Sequence, residues 1–139
     1  MNIPKFRAWN LTVGIMVDVI TLNIPNKIIG FKHPVSGYFL HQELSDFILM
    51  QSTGLTDKNG VEIFEGDIVK TVYDNDEPTS VNHTVKWFGD ISYPAFDLSP
   101  PYCEESNSFS SISGDSENIT IEVIGNIHQN RDLLNVYLL

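Results

Sequence analysis

The stretch Met50-Gln51-Ser52-Thr53-Gly54-Leu55-Thr56-Asp57-Lys58-Asn59-Gly60-Val61-Glu62-Ile63-Phe64-Glu65-Gly66-Asp67-Ile68-Val69-Lys70 decides the fold. Within it, Asp57-Lys58-Asn59-Gly60 reads as a hairpin connector, because Asn-Gly accepts the positive φ angles of a tight turn and apolar residues flank it on both sides. Glu65-Gly66-Asp67 is a second tight turn only a few residues on. Between the two turns, side-chain alternation predicts Val61 and Ile63 on one face and Glu62 and Phe64 on the other. Ile68, Val69, Val72 and Tyr73 resume a strand, and Phe47-Ile48-Leu49-Met50 is the strand that leads in.

Upstream, Leu11, Val13, Ile15, Val17 and Val19 take every second position, the period that lays one face of a strand on a core. Gly14 argues against a helix there. Asn23-Ile24-Pro25-Asn26 and His33-Pro34-Val35-Ser36-Gly37 are turn sequences, with short apolar runs, Ile28 to Phe31 and Tyr38 to Leu40, after them. Downstream, Asp74 to Pro78 ends a strand by charge and proline. Val81, His83, Val85 and Trp87 alternate with polar residues, Ala95 to Leu98 is a candidate partner, and Ile119, Ile121 and Val123 begin a last strand that runs to about Ile127. Residues 99–118, with Pro100-Pro101 and a Ser-rich run, lose all periodicity and read as a flexible loop. Asn130 or Asp132 opens a short helical turn, and Val136 to Leu139 is an apolar tail that must pack on its own chain or on another copy.

Many short strands punctuated by Gly, Pro and Asn-Gly, with no amphipathic helix of ten residues or more, predict a mainly β protein, a small barrel or a sandwich. The Gly66-Asp67-Ile68-Val69 turn into a strand favours an SH3-like barrel with extra strands. A length of 139 residues, 42% of them apolar, fits a single domain over residues 1–139.

No segment approaches the roughly 18 to 20 apolar residues of a spanning helix, and the N-terminus lacks the pattern of a signal peptide. One cysteine, Cys103, excludes an internal disulfide and a thiolate zinc site. These features predict a cytoplasmic protein without membrane contact. The net charge of −10 is unevenly placed. Residues 1–42 set Lys5, Arg7, Lys27 and Lys32 against Asp18 alone, whereas residues 71–130 set ten acids against Lys86. The acidic half is unsuited to ordinary duplex binding, which needs several basic contacts to phosphate.

None of the side chains that carry chemistry forms a constellation. His33, His41, His83 and His128 lack the paired spacing of metal ligands, and His83 is in phase with Val81 and Val85, as a buried hydrogen-bonded histidine would be. Asp57, Asn59, Gly60 and Glu62 superficially suggest a calcium loop, but the glycine and the bidentate acid are misplaced. Cys103 adjoins Glu104 and Glu105, which oppose thiolate formation. Glu62, Glu65 and Asp67 are the densest acid group, and paired carboxylates can serve as acid and base or hold magnesium, but a solvated strand face and a turn account for them better. Lys5, Phe6, Arg7 and Trp9 join two cations to two aromatics and could stack on a single-stranded base, although an amphipathic first strand accounts for them too. No catalytic residue, cofactor or metal is predicted, and the chain is expected to be non-enzymatic.

The chain resembles the YopX family of phage and prophage proteins. The likeness rests on Lys5-Phe6-Arg7-Ala8-Trp9, on Gly54-Leu55 and Asp57 to Gly60 with Ile63 to Val69 after them, on Val85-Lys86-Trp87, and on Glu122 to Asn130, in the family's order. Asn130-Arg131-Asp132-Leu133-Leu134 departs from the family's Asn-Pro-Glu-Leu-Leu, and the Ser-rich loop looks particular to this member. The resemblance implies a β-rich fold, a phage or prophage origin and self-association, and brings no catalytic motif. The resulting expectation is an accessory interaction domain forming homo-oligomers. Two alternatives stand beside it: an acidic decoy that imitates nucleic-acid phosphates, and a nucleic-acid-binding barrel using the basic N-terminal third.

Overall fold

The computed structural model describes residues 3–73, 80–87, 96–99 and 119–134. The chain divides into two compact units, Met1–Ser52 and Thr53–Leu139. The Asp74 to Pro78 turn, the loop expected at 99–118, Cys103 and the apolar tail all lie outside the described residues, apart from Ser99.

The first unit is built from β1 (Phe6–Asn10), β2 (Met16–Asn23), β3 (Ile28–Lys32), β4 (Phe39–Glu43) and the opening part of β5 (Phe47–Thr56). All pairings are antiparallel, in the order β4-β3-β2-β1-β5. Turn chemistry sets where these strands begin and end. The strand expected from Leu11 to Val19 is instead broken by the β1–β2 turn, in which the Asn10 side-chain oxygen accepts the N–H groups of Thr12 and Val13 at 2.9 and 3.1 Å. Gly14 completes the reversal with φ +69°, a conformation that disfavours a side chain. Leu11 and Val13, expected inside, are 57% and 63% exposed. Their alternation was accidental, and local side-chain bonding to the backbone overrode it.

The other turns follow the sequence. Asn26 donates its N–H to the Asn23 side chain, and the His33 ring nitrogen Nδ1 accepts the N–H groups of Val35 and Ser36. The core of this unit is Ala8, Val17, Ile29, Phe31 and Phe47, with the rings of Phe31 and Phe47 edge to face at 5.5 Å. Such packed apolar area supplies most of the stabilisation of a small β unit.

The second unit contains the end of β5 together with β6 (Glu62–Phe64), β7 (Asp67–Tyr73), β8 (Ser80–Trp87), β9 (Phe96–Ser99) and β10 (Ile119–Asn126). β6 is next to β5, and the other four strands form a sheet in the order β10-β7-β8-β9. The hairpin turn at Asp57 to Gly60 forms as expected, with Gly60 at φ +81°. The core is Ile63, Val69, Val85, Leu98 and Ile121, so one alternate residue from each of five strands meets at the centre. Only Ile63 of the expected Val61/Ile63 face is buried, since Val61 precedes β6 and is exposed. In β8 the expected alternation holds at His83 and Val85, but Thr84 is buried as well. Trp87 lies at the strand end, its ring 5.0 Å from that of Phe96 on β9.

The protein is therefore mainly β, with single 3-10 turns at Leu44–Asp46 and Arg131–Leu133 as the helical elements among the described residues. Among the described residues the expected barrel closure is not formed. The strands make two open antiparallel sheets. At β10 the reason is visible, because the outer side of that strand meets a turn and not another strand: Val123 donates its N–H to Asp57 and Lys58 donates its N–H to the Ile121 carbonyl.

Candidate functional site

The residues singled out for nucleic-acid contact sit on and before β1, which runs between β2 and β5. Lys5 precedes the strand and its carbonyl accepts the Ser52 N–H at 2.8 Å. Strand alternation places Phe6 with the buried Ala8 on the core side and turns Arg7 and Trp9 to the opposite face. The Trp9 ring lies over the β1–β2 turn, where a Cβ on Gly14 would be 3.7 Å from it. The two cations and two aromatics thus do not share one platform, which is what stacking on successive bases requires.

The densest acid group resolves into turn chemistry. Asp67 is buried, and its carboxylate accepts the Phe64 N–H at 2.8 Å, closing the Glu65-Gly66 turn. Gly66 donates its N–H to Val85 and accepts that of Ile127, which ties the turn to β8 and to the segment after β10. Glu62 and Glu65 are half-buried.

Asp57 is bonded through both of its carboxylate oxygens. One oxygen accepts the N–H groups of Asn59 and Val61, both at 2.9 Å, and the other accepts that of Val123 at 2.9 Å. The side chain is 4% exposed. Next to it, the Lys58 ammonium pairs with Glu122 at 3.4 Å. At this half-exposed position the ion pair contributes little, whereas the bonds to backbone satisfy donors that would otherwise be stranded. The sequence marks Asp57 as a turn residue, but nothing in its spacing announces the bond to β10.

A second knot lies in Gly125-Asn126-Ile127-His128-Gln129-Asn130. The Asn126 side-chain oxygen accepts the N–H groups of His128 and Gln129, both at 3.0 Å, while its amide donates to the Gln129 side chain at 2.7 Å. Asn130 returns the bond by accepting the Asn126 N–H at 3.1 Å. A Cβ on Gly125 would be 2.5 Å from the Asn130 side-chain oxygen, so this position admits only glycine without rearrangement.

The four histidines are dispersed. His33 caps its own turn, and His41 on β4 stacks edge to face with Phe39 at 4.7 Å. His83 is buried and bonded to the Thr71 hydroxyl at 2.9 Å, as expected, and His128 belongs to the asparagine knot. No group of three or more His, Cys, Asp or Glu side chains among the described residues could hold a metal ion. In the first unit, an open groove of about 600 Å³ runs beside the β2–β3 turn, with Leu22, Ile24, Pro25 and Ile28 on its walls and His41 at one side. No helix among the described residues is long and apolar enough to cross a membrane.

Residues 5–135 fit the family model described as YopX protein. The chain belongs to the YopX family. Among solved structures it is similar to protein EF1440 from Enterococcus faecalis, at 29% identity and a TM-score of 0.65, with 96% of this chain and 99% of that one covered. Protein yopX from Bacillus subtilis shares the fold at 21% identity and a TM-score of 0.53, over 94% of this chain and 97% of that one. Among curated proteins there is no match. In this YopX chain, the blocks Asp57 to Gly60, Ile63 to Val69 and Glu122 to Asn130 coincide with the Asp57 pin, the Asp67 turn and the Asn126 knot. In each, a side-chain oxygen holds backbone N–H groups in place.

Proposed function

We propose that this YopX-family chain is a non-enzymatic accessory protein of phage or prophage origin, acting in the cytoplasm of the bacterial host by binding protein, its own copies included. The observation that carries the reading is the apolar surface around the β3–β4 hairpin of the first unit. There Val35 and Tyr38 are 89% and 72% exposed and Phe39 and Leu40 are half-exposed, four apolar residues within the turn and strand positions 35–40. Apolar side chains clustered in this way favour protein contact over solvent.

Support also comes from the polar groups. Asp57, Asp67, Asn126 and the His83–Thr71 pair, which a binding or catalytic site would draw upon, are committed to backbone or to each other. Of the ten acids in residues 71–130, Asp97 is buried and accepts the Leu98 N–H, and Glu122 pairs with Lys58. The remaining eight lie outside the described residues, and neither of these two is available as a phosphate mimic.

Sedimentation velocity over a concentration series tests the proposal. Concentration-dependent association is the expected result. A single monomeric species throughout the series would remove its self-binding part.

A further inference from the structure

We propose that a second copy of this chain adds to the free edge of β4, pairing antiparallel with the same strand about a two-fold axis at His41. The inference rests on the self-association proposed above and names the surface that carries it.

Edge strands expose unpaired backbone groups, and proteins normally shield them by shortness, bulges, charge or cover. Two edges in the second unit follow that rule. β6 is three residues long, and its Phe64 N–H is taken by the Asp67 carboxylate. β10 carries a bulge between Val123 and Gly125, and its outer side is occupied by Asp57 and Lys58. β4, at the end of the first unit's sheet, is different. It runs for five residues, Phe39-Leu40-His41-Gln42-Glu43, in unbroken register with β3 and contains neither proline nor lysine.

The outward groups follow from the ladder. His33 donates to the Tyr38 carbonyl at one end and Leu44 donates to the Lys27 carbonyl at the other, both at 2.8 Å. Hydrogen-bonded and non-bonded pairs alternate along an antiparallel ladder. Leu40 and Gln42 therefore turn their backbone groups toward β3, and Phe39, His41 and Glu43 turn theirs away from the sheet. Among the described residues no partner meets them.

That arrangement selects a copy of itself as the occupant. The outward residues are spaced evenly about His41, so an antiparallel copy centred there brings His41 opposite His41 of the second copy and Phe39 opposite its Glu43. Every outward residue then faces another outward residue. Lys32 pairs with Phe39 at one end of the β3–β4 ladder and Glu43 lies at the other, so the two-fold brings opposite charges to each end. The contact would cover Phe39 and Leu40, which are 48% and 41% exposed. Overall charge agrees: the first unit carries four basic residues against three acidic ones, so copies meeting there avoid the repulsion that the strongly acidic second unit would impose.

Site-directed cross-linking on the full chain, in a Cys103→Ser background, tests the register. In a hydrogen-bonded antiparallel pair the Cα atoms are about 5.5 Å apart, within disulfide reach. His41→Cys should give a disulfide-linked dimer under mild oxidation, whereas Leu40→Cys, displaced from its own counterpart, should not. His41→Pro removes an outward N–H, a change an edge strand tolerates, and should weaken association about tenfold or more with an unaltered circular dichroism spectrum. If the unmodified chain associates but His41→Cys does not cross-link, the edge assignment is wrong and self-association stands. If the unmodified chain is monomeric at every concentration, both fall.

Discussion

The Val123 N–H and the Asp57 carboxylate are joined by a hydrogen bond of 2.9 Å that spans 66 residues of chain. The same carboxylate holds its own hairpin turn through Asn59 and Val61. One side chain thus fixes a local reversal and attaches it to the last strand. A charged acceptor buried among several N–H donors is favourable while all of them are in place, and costly to dismantle because the donors lose their partner in the interior.

Replacing Asp57 therefore tests the pin. Asp57→Ala is expected to destabilise the protein by about 3 kcal/mol, and Asp57→Asn by less, because one acceptor oxygen remains. Urea unfolding followed by circular dichroism reads both. Equal stability of Asp57→Ala and the parent chain would show that water replaces the carboxylate at no cost, contrary to this account.

Gly125→Ala places a methyl group within 2.5 Å of the Asn130 side-chain oxygen. A loss of about 2 kcal/mol is expected from overpacking and the broken Asn126–Asn130 bond. The double variant with Asn130→Gly should lose less than the two single changes added together, since the clash exists only while the Asn130 side chain does. Strict additivity in thermal unfolding would count against the clash.

Thr71 and His83 form a buried polar pair at 2.9 Å. Thr71→Val leaves the ring nitrogen facing an isosteric methyl group and should cost about 1 to 3 kcal/mol. Denaturant unfolding measures it. The surface change Lys86→Ala, on the exposed end of the same strand, is the control and should shift the midpoint little.

Binding to nucleic acid can be examined with single-stranded oligonucleotides at low salt. Phe6 faces away from Arg7 and Trp9, so the expected outcome is no gel shift for the parent chain, and the same for the Lys5→Ala/Arg7→Ala variant. A shift that the variant abolishes would instead establish the basic N-terminal third as a contact surface.

Much of the fold is legible in the residues. The Asn59-Gly60 turn, the short apolar run Ile28 to Phe31, and the phase of His83 with Val85 each leave a local trace, and each corresponds to a hairpin, a strand or a buried position. Leu11 and Val13 show where local pattern misleads. They continue the period of Ile15 and Val17, but Asn10 and Gly14 turn the backbone between them, and the decisive signal was a side-chain oxygen placed to accept two nearby N–H groups. The barrel expectation failed for another reason. Whether an edge is met by a strand or by a turn depends on contacts such as Asp57 with Val123, which no periodicity records. Of the candidate residues, Asp67 and Asp57 carry the sequence signature of turn formers, while their burial and the reach of Asp57 leave no local trace.

The Asp57 contact also has a temporal meaning. A ribosome delivers the chain from its N-terminus, and the strands β1 to β4 with their core partner Phe47 have all been made by the time Ser52 appears. The Asp57 turn has by then not begun, and when it forms it lacks the partner that completes it until Val123 has been synthesised. Two units of one small protein are therefore finished on different schedules, and a transcript cut short before the last strand would yield a chain in which Asp57 holds its own turn but has no β10 to attach it to.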